Sequence, residues 1–530
     1  MFFQQPVGAE NKVSTVPAPI GGLNAYDSLA AMPQTDAIIM ENWWPQSYGC
    51  KVRNGYRRWA TGLLGSVGTL STWSSQTGEI RLIAWAGGGV YNITTRGPAS
   101  PPVLEGLASD YWESVVLTNA AGTNLIAVNG IDDGLIIQGS GVAARITSGN
   151  GTDPLTWAGL NPRSAVQLTV HQHRLWAVEK DSTNGWFLPP DAIQGTFLKY
   201  NFGALFERGG YLQFLTTWTI DDGNGAEDHL IAVSSRGEAV VFGGTDPEDD
   251  MKWTLVGVYY VGAPVEGRRG HTKAGGDQIL LTQQGAVSMA AMLVSTKVNE
   301  TQNPLVSKKI QFLISDLITK NGNRVGWSVN YVPKHNIVII NVPQSEGLPA
   351  IQLAANQITG SWTTFSGMNA TCWGGMNSLP FFGDALGNVY SAWDGNKDDV
   401  LLDDTGGKGI ISNVQQAYSY MGSMAAQKQV GMYRPTFVSD EVINYNSSIL
   451  YDFATATLAT PLGTTAVPGA LWDVSLWDTG RWAGGSSVVK TWVQAEGIGV
   501  ATSIRMVAQT EGEVLWVATD YSTLPGIGLF

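Results

Sequence analysis

The residues best able to do chemistry are few and scattered. Five histidines occur, His171, His173, His229, His271 and His335. His171 and His173 flank Gln172 in a segment that reads as strand, so both rings would point to one face and could share a metal. A third ligand is missing nearby, and structural or interface histidines are the expectation. Two acidic runs imitate calcium loops. In residues 394–399, Asp394, Asn396 and Asp398 alternate as oxygen ligands do, but Asp399 replaces the glycine and Thr405 stands where the bidentate glutamate belongs. Residues 221–228, DDGNGAED, are a looser version. Both read as solvated turns. With Cys50 and Cys372 alone, neither a disulfide framework nor a paired-thiol metal site is expected. The chain carries no G-x-S-x-G elbow, P-loop, H-E-x-x-H helix or S-x-D-x-G-x-T-W turn. No enzymatic activity, cofactor or metal is therefore expected.

The balance of charge points away from nucleic-acid grip. The 530 residues carry a net charge of −13, and binding through phosphates needs a basic face. The basic clusters are small: Lys51, Arg53, Arg57 and Arg58; Arg268 and Arg269; Lys308 and Lys309. They read as solvated or interface charges. Charged residues make up 14% of the chain, against ~25% in an average soluble domain, so much surface is weakly charged and suited to subunit contacts. The first residues lack the pattern of a signal peptide, and no apolar run is long enough to span a membrane. Folding in a reducing cytoplasm is expected.

The elements that must position any site are β-hairpins. Seven similar units lie between residues 80 and 393: 81–93, 124–139, 174–188, 229–243, 278–290, 328–342 and 380–393. Each pairs two apolar strands across a polar turn. The turns centre near Gly88, Asp132, Thr183, Arg236, Gln284, His335 and Gly387, spaced by 44 to 53 residues. Such a period marks β-propeller blades. Segments ending in Trp157, Trp253 and Trp362 read as outer blade strands whose indoles pack between sheets. One stretch departs from the pattern: in residues 304–318, Val306, Ile310, Leu313 and Leu317 follow a helical period after Pro304.

The expected fold is all-β: a central propeller-like domain, a C-terminal antiparallel sandwich and one short inserted helix. The expected divisions are an N-terminal segment at 1–69 closing or docking on the propeller, the propeller at 70–395, a polar linker at 396–414 and a C-terminal β domain at 415–530. The last residues, STLPGIGLF, read as an irregular tail.

Residues 17–56 carry a resemblance. Gly21, Gly22, Pro33, Asn42, Pro45, Arg53 and Gly55 fall in an order similar to the opening of tail tubular, or nozzle, proteins of short-tailed bacteriophages. The stretches 416–437 and 472–482, and the strands ending in VLWVATDY, look like such virion proteins too. The resemblance implies a structural protein of the virion tail, assembled in the host cytoplasm. It would form a homohexameric ring at the distal tail tube, below the adaptor ring and beside tail fibres. Phage DNA would pass through its lumen without specific binding. Such a lumen should repel phosphate, and Asp246, Glu248, Asp249, Asp250, Asp398, Asp399, Asp403 and Asp404 are the candidate lining acids. The alternative is a carbohydrate-binding or depolymerase propeller of the virion, which abundant tryptophan would suit.

Overall fold

The computed structural model describes residues 12–139, 141–221, 226–294, 305–345, 348–461, 465–466 and 487–525. These form two compact units: a propeller unit of residues 58–352 and 368–392, and a terminal unit of residues 1–57, 353–367 and 393–530.

In the propeller unit the alternating segments become the hairpins their turns require. Ile80–Ala86 and Gly89–Asn92 join through Gly87 and Gly88, whose φ of 55° and 75° suit a tight turn that preserves strand twist. Hairpins form likewise at Gly122–Val128 with Gly134–Ile137, Arg174–Glu179 with Asn184–Phe187, and Ala226–Ser234 with Glu238–Gly244. The series continues at Asp277–Thr282 with Gly285–Ser288, Ser328–Val332 with Ile337–Val342, and Leu379–Gly383 with Val389–Ala392. Val67–Ser74, Glu113–Asn119, Ala165–His171, Leu212–Asp221, His271–Ala274 and Cys372–Met376 each add a strand to the inner side of a hairpin. These inner strands, with Ser328–Val332 in its turn, neighbour one another in chain order, and Cys372–Met376 packs on Val67–Ser74 to close the circle. Tyr56–Thr61 joins the last sheet beside Val389–Ala392, so an early strand completes the final blade.

Apolar clusters between successive sheets hold the ring. Trp85 stacks on Trp112 between the first two sheets, and Trp176 stacks on Trp253 between the third and fourth. Burying a large side chain of this kind contributes roughly 2–3 kcal/mol. Trp157 and Trp253 thus act as expected, and Trp362 opens the strand that follows Ser328–Val332, Ile337–Val342 and Ile351–Asn356 in the order of their sheet.

The helical segment is displaced from its expected bounds. A 3-10 turn at Lys308–Ile310 leads into the helix Gln311–Asn321, which buries Ile314, Leu317 and Ile318. Val306 lies before it and is exposed, so the apolar stripe begins at Ile310. Residues 304 and before lie outside the described residues at this point. A second, six-residue helix, Met289–Val294, was not expected because it continues directly from a strand without a cap signal.

The terminal unit is a sandwich of two mainly antiparallel sheets. One runs Trp43–Gln46, Gly49–Val52, Val514–Pro525, Lys428–Ser439 and Ser487–Lys490, with Lys12–Pro17 also on Val514–Pro525. The other orders Trp362–Phe365, Asp36–Glu41, Lys408–Gln416, Thr502–Thr510 and Asn444–Tyr451. Phe437 meets Tyr445, and the Tyr433 hydroxyl lies 2.7 Å from Ser447 Oγ, across the interior.

Three expected divisions change. The N-terminal segment supplies sandwich strands, because its apolar faces pair with the chain's end. The expected linker 396–414 contains most of the strand Lys408–Gln416, whose alternating burial places Ile410, Ser412 and Val414 inside. The expected irregular tail begins with Ser522–Pro525 still in the ladder. Residues 472–482 and 526–530 lie outside the described residues.

Candidate functional site

Three residues of the N-terminal motif, Asn42, Arg53 and Gly55, meet in one polar node of the terminal unit. Asn42 has φ 59°, a left-handed conformation that asparagine tolerates better than most residues. Its Oδ1 accepts from Arg53 Nε at 2.8 Å, and its Nδ2 donates to Ile411 O at 2.7 Å. Arg53 Nη1 and Nη2 donate to Asp398 Oδ1 and Oδ2 at 2.8 and 2.6 Å, a bidentate pair. Further bonds run from Arg53 to Asn54 O and Ser366 O. The Arg53 side chain is 0% exposed. Two residues on, a Cβ at Gly55 would lie 1.9 Å from Lys397 O, so only glycine allows that backbone approach. The arrangement fixes three distant chain segments, and its charge is fully spent.

This node corrects two sequence expectations. Arg53 is not a solvated charge, and Asp398 does not sit in a solvated turn: it is buried and the guanidinium takes both its oxygens, which leaves it unsuited to line a lumen. Asp394 is likewise held by Arg57 at 2.9 Å, so arginines occupy the alternating positions that resembled a cation loop.

The remaining candidate acids divide between the units. In the propeller unit, Asp246, Glu248, Asp249 and Asp250 form the turn between Glu238–Gly244 and Trp253–Tyr260. Asp246 pairs with Arg174 and Asp249 with Lys252, both at 2.9 Å, while Glu248 and Asp250 are exposed. The Lys252 hydrogen bond, with the Met251 amide, holds the Asp249 carboxyl below its usual range. In the terminal unit, Asp399 lies 4.0 Å from Lys408, Asp404 pairs with Arg57, and Asp403 accepts from the Thr405 hydroxyl and amide.

The H-Q-H triplet is a turn. Ala165–His171 ends at the first histidine, and Gln172 and His173 adopt φ of 48° and 58°. His173 therefore points outward, its ring 3.4 Å from Asp191, while His171 is buried against Trp253. The period-two expectation failed because the strand ends at His171, two residues before His173. Among the described residues, no cluster of three or more histidine, cysteine or acidic side chains is placed to hold a metal.

His171 and His271 carry a pH dependence instead. Burial lowers each to about 4. Gly244 O faces His171 at 3.3 Å, and Phe214 stacks on His271 at 4.6 Å, with Asp228, His229 and Lys273 the neighbouring ionisable groups. Their folded values lie below the ordinary value, so the unfolded chain binds more protons between about pH 6.5 and 4. Stability is expected to fall across that window as pH falls, by on the order of 2–3 kcal/mol for His171. Urea unfolding at stepped pH checks this; His171→Phe should flatten the profile, and a flat wild-type profile would refute it.

The feature that sequence reasoning missed lies at the centre of the propeller unit. The segment Gly267–Arg269 precedes the inner strand His271–Ala274 and reaches inner strands of four other sheets. Arg269 donates to Glu113 Oε1 at 2.9 Å, Gly68 O at 3.1 Å, Thr69 Oγ1 at 2.8 Å and Trp112 O at 2.6 Å. Its guanidinium lies 4.0 Å from the centre of the Tyr111 ring. Arg268 donates to Gln213 O, Gln213 Nε2 donates to Gly267 O at 2.6 Å, and the Val329 amide donates to Arg269 O at 2.8 Å. The propeller's own axis is thus filled by side chains. The arginine pair looked solvated in sequence; Gly267 and Gly270 on either side were the signal of close backbone approach.

Together these features define the chain as an all-β protein with a propeller unit and a sandwich unit built from both terminal regions. Among solved structures it is similar to PorZ, an essential bacterial surface component of the type-IX secretion system of Porphyromonas gingivalis, at 13% identity and a TM-score of 0.34. That match covers 71% of this chain and 44% of PorZ, so the chain spans less than half of that protein. It is also similar to YCF48 bound to D1 peptide, at 11% identity and TM-score 0.36 over 66% of this chain and 98% of that one. A third similarity, to Saccharomyces cerevisiae Sqt1, has 10% identity and TM-score 0.37 over 69% and 96% of the two chains. No family model matches the sequence, and no curated protein matches it.

Proposed function

We propose that this chain is a structural virion protein of the distal tail tube of a short-tailed phage, a ring-forming subunit of the nozzle through which the genome leaves. The observation that carries the reading is the union of the two stretches that resemble nozzle proteins. Lys12–Pro17 and Gly49–Val52 both pair with Val514–Pro525, and Asp36–Glu41 pairs with Lys408–Gln416. The described parts of the resembling stretches therefore serve one folded unit. The filled propeller axis supports a conduit formed between subunits rather than through one chain. Net charge of −13, repeated around such a conduit, would repel phosphate and let DNA slide. Glu248, Asp250 and Asp403, exposed in their turns, are the acids best suited to line it.

A heterologous ring interface closes only at a fixed copy number, here expected to be six. The test is the mass and symmetry of the full chain, alone and in tails, by mass photometry and single-particle imaging. A symmetric ring at the tail tip is expected. A stable monomer, or a trimer that cleaves polysaccharide, would overturn the proposal. In assembled tails, Glu248→Gln with Asp250→Asn should slow DNA ejection most at low salt, because screening weakens the lost repulsion as salt rises.

A further inference from the structure

A cavity of about 570 Å³ opens at one face of the propeller unit, within the ~300–1,000 Å³ range of small-molecule sites. Its walls come from the segments that lead into the inner strands Val67–Ser74, Glu113–Asn119, Ser328–Val332 and Cys372–Met376, from residues after Ile337–Val342 that include Gln344 and Leu348, and from Ala385.

The lining is uncharged in effect but rich in hydrogen-bonding groups. Ser66, Ser109, Gln344 and Asn369 contribute hydroxyls and amides. Asp110 supplies the one carboxylate among the described lining residues, and it is committed: Oδ1 accepts from the Gly88 amide at 2.8 Å and Oδ2 from the Gly87 amide at 3.0 Å. Apolar surface borders these groups, with Val325 and Leu348 each 62% exposed. Tyr111 gives the wall an aromatic residue whose position is fixed. Arg269 covers one ring face, and the hydroxyl is buried near Gly267, where a Cβ would meet it at 3.3 Å. The partly exposed surface of Tyr111 is therefore not its hydroxyl.

We infer that this cavity binds a short neutral glycan. Sugars present alternating C–H patches and hydroxyls, which match an aromatic and aliphatic border around an amide and hydroxyl floor. A charged ligand would meet no free counter-charge among the described lining residues and lose hydration there uncompensated. This inference stands independently of the nozzle reading, since a ring that bound no glycan and a monomer that bound one would give separate results.

The test applies the full chain to an array of neutral oligosaccharides, acidic oligosaccharides and peptides, followed by calorimetry with the strongest neutral ligand. Saturable binding to neutral members is expected. Leu348→Asp, on the exposed border, should weaken it at least about tenfold. Met251→Asp, at an exposed residue that does not line the cavity, should leave it unchanged. Circular dichroism of each variant separates lost binding from lost folding. Binding to no neutral glycan, or only to acidic glycans or peptides, would overturn the inference. Full affinity in a folded Leu348→Asp variant would overturn the assignment to this cavity.

Discussion

Replacing Arg53 by methionine is expected to cost the terminal unit about 3–5 kcal/mol, the range for breaking one side of a buried ion pair. The side chain has no exposure and makes five hydrogen bonds, two of them to Asp398. Its loss leaves Asp398, itself only 8% exposed, without its counter-charge. It also frees the Ser366 carbonyl and leaves the Asn42 amide oxygen with the Ser366 amide as its donor. In a denaturant titration followed by hydrogen exchange, protection of Asp36–Glu41 and Lys408–Gln416 should collapse at lower denaturant. The inner strands of the propeller unit should keep theirs. A second replacement, Asp398→Leu, should restore part of the loss, because an apolar pair carries no orphaned charge. A cost under about 1 kcal/mol for Arg53→Met would mean that water or a neighbouring cation satisfies Asp398, and the node would lose its assigned role.

Arg269→Met is expected to cost the propeller unit about 3 kcal/mol, somewhat less because Arg269 and Glu113 are each 17% exposed and partly screened. Arg269→Lys should recover little of it. An ammonium lacks the planar fork that reaches Glu113, Gly68 O, Thr69 Oγ1 and Trp112 O together, and it stacks less well on Tyr111. The measurement is the unfolding midpoint of the inner strands by hydrogen exchange. Near-wild-type stability of the lysine variant would show that a point charge is enough and that the forked geometry is incidental.

These two arginines show where sequence reading stops. The hairpin period was legible because each turn is written locally: alternating apolar residues around glycine or asparagine specify a hairpin wherever it lies. The inserted helix was legible from Ile310 onward for the same reason, although its start was not, since the stretch before it carries no capping residue in contact with the first turn. Arg53 and Arg269 differ. Their partners lie 345 and 156 residues away, at Asp398 and Glu113, and nothing in a basic pair distinguishes a solvated guanidinium from a buried one. Asp394 and Asp398 lie in a stretch that reads as a solvated turn, and the arginines that hold them, Arg57 and Arg53, leave no local trace there. The sandwich was assigned to the C-terminal region alone because the pairing of Lys12 with Thr523 leaves no local trace. The candidate glycan cavity was invisible in the same way: its walls come from widely separated segments, and tryptophan abundance gave no hint that Tyr111 would be its aromatic member.

The discontinuity of the terminal unit has a consequence for synthesis. Lys12–Pro17 has no ladder partner until Val514–Pro525 has been translated. At about 5–20 residues per second, the first strand waits on the order of 25–100 s for its mate, long after the hairpins of the propeller unit have emerged. Throughout that interval the nascent chain carries unpaired strand edges, which invite pairing with other chains. A product cut short by even one strand cannot satisfy them. Translation of Val514–Pro525 is therefore the step that closes this sheet, on one side with Lys12–Pro17 and on the other with Lys428–Ser439.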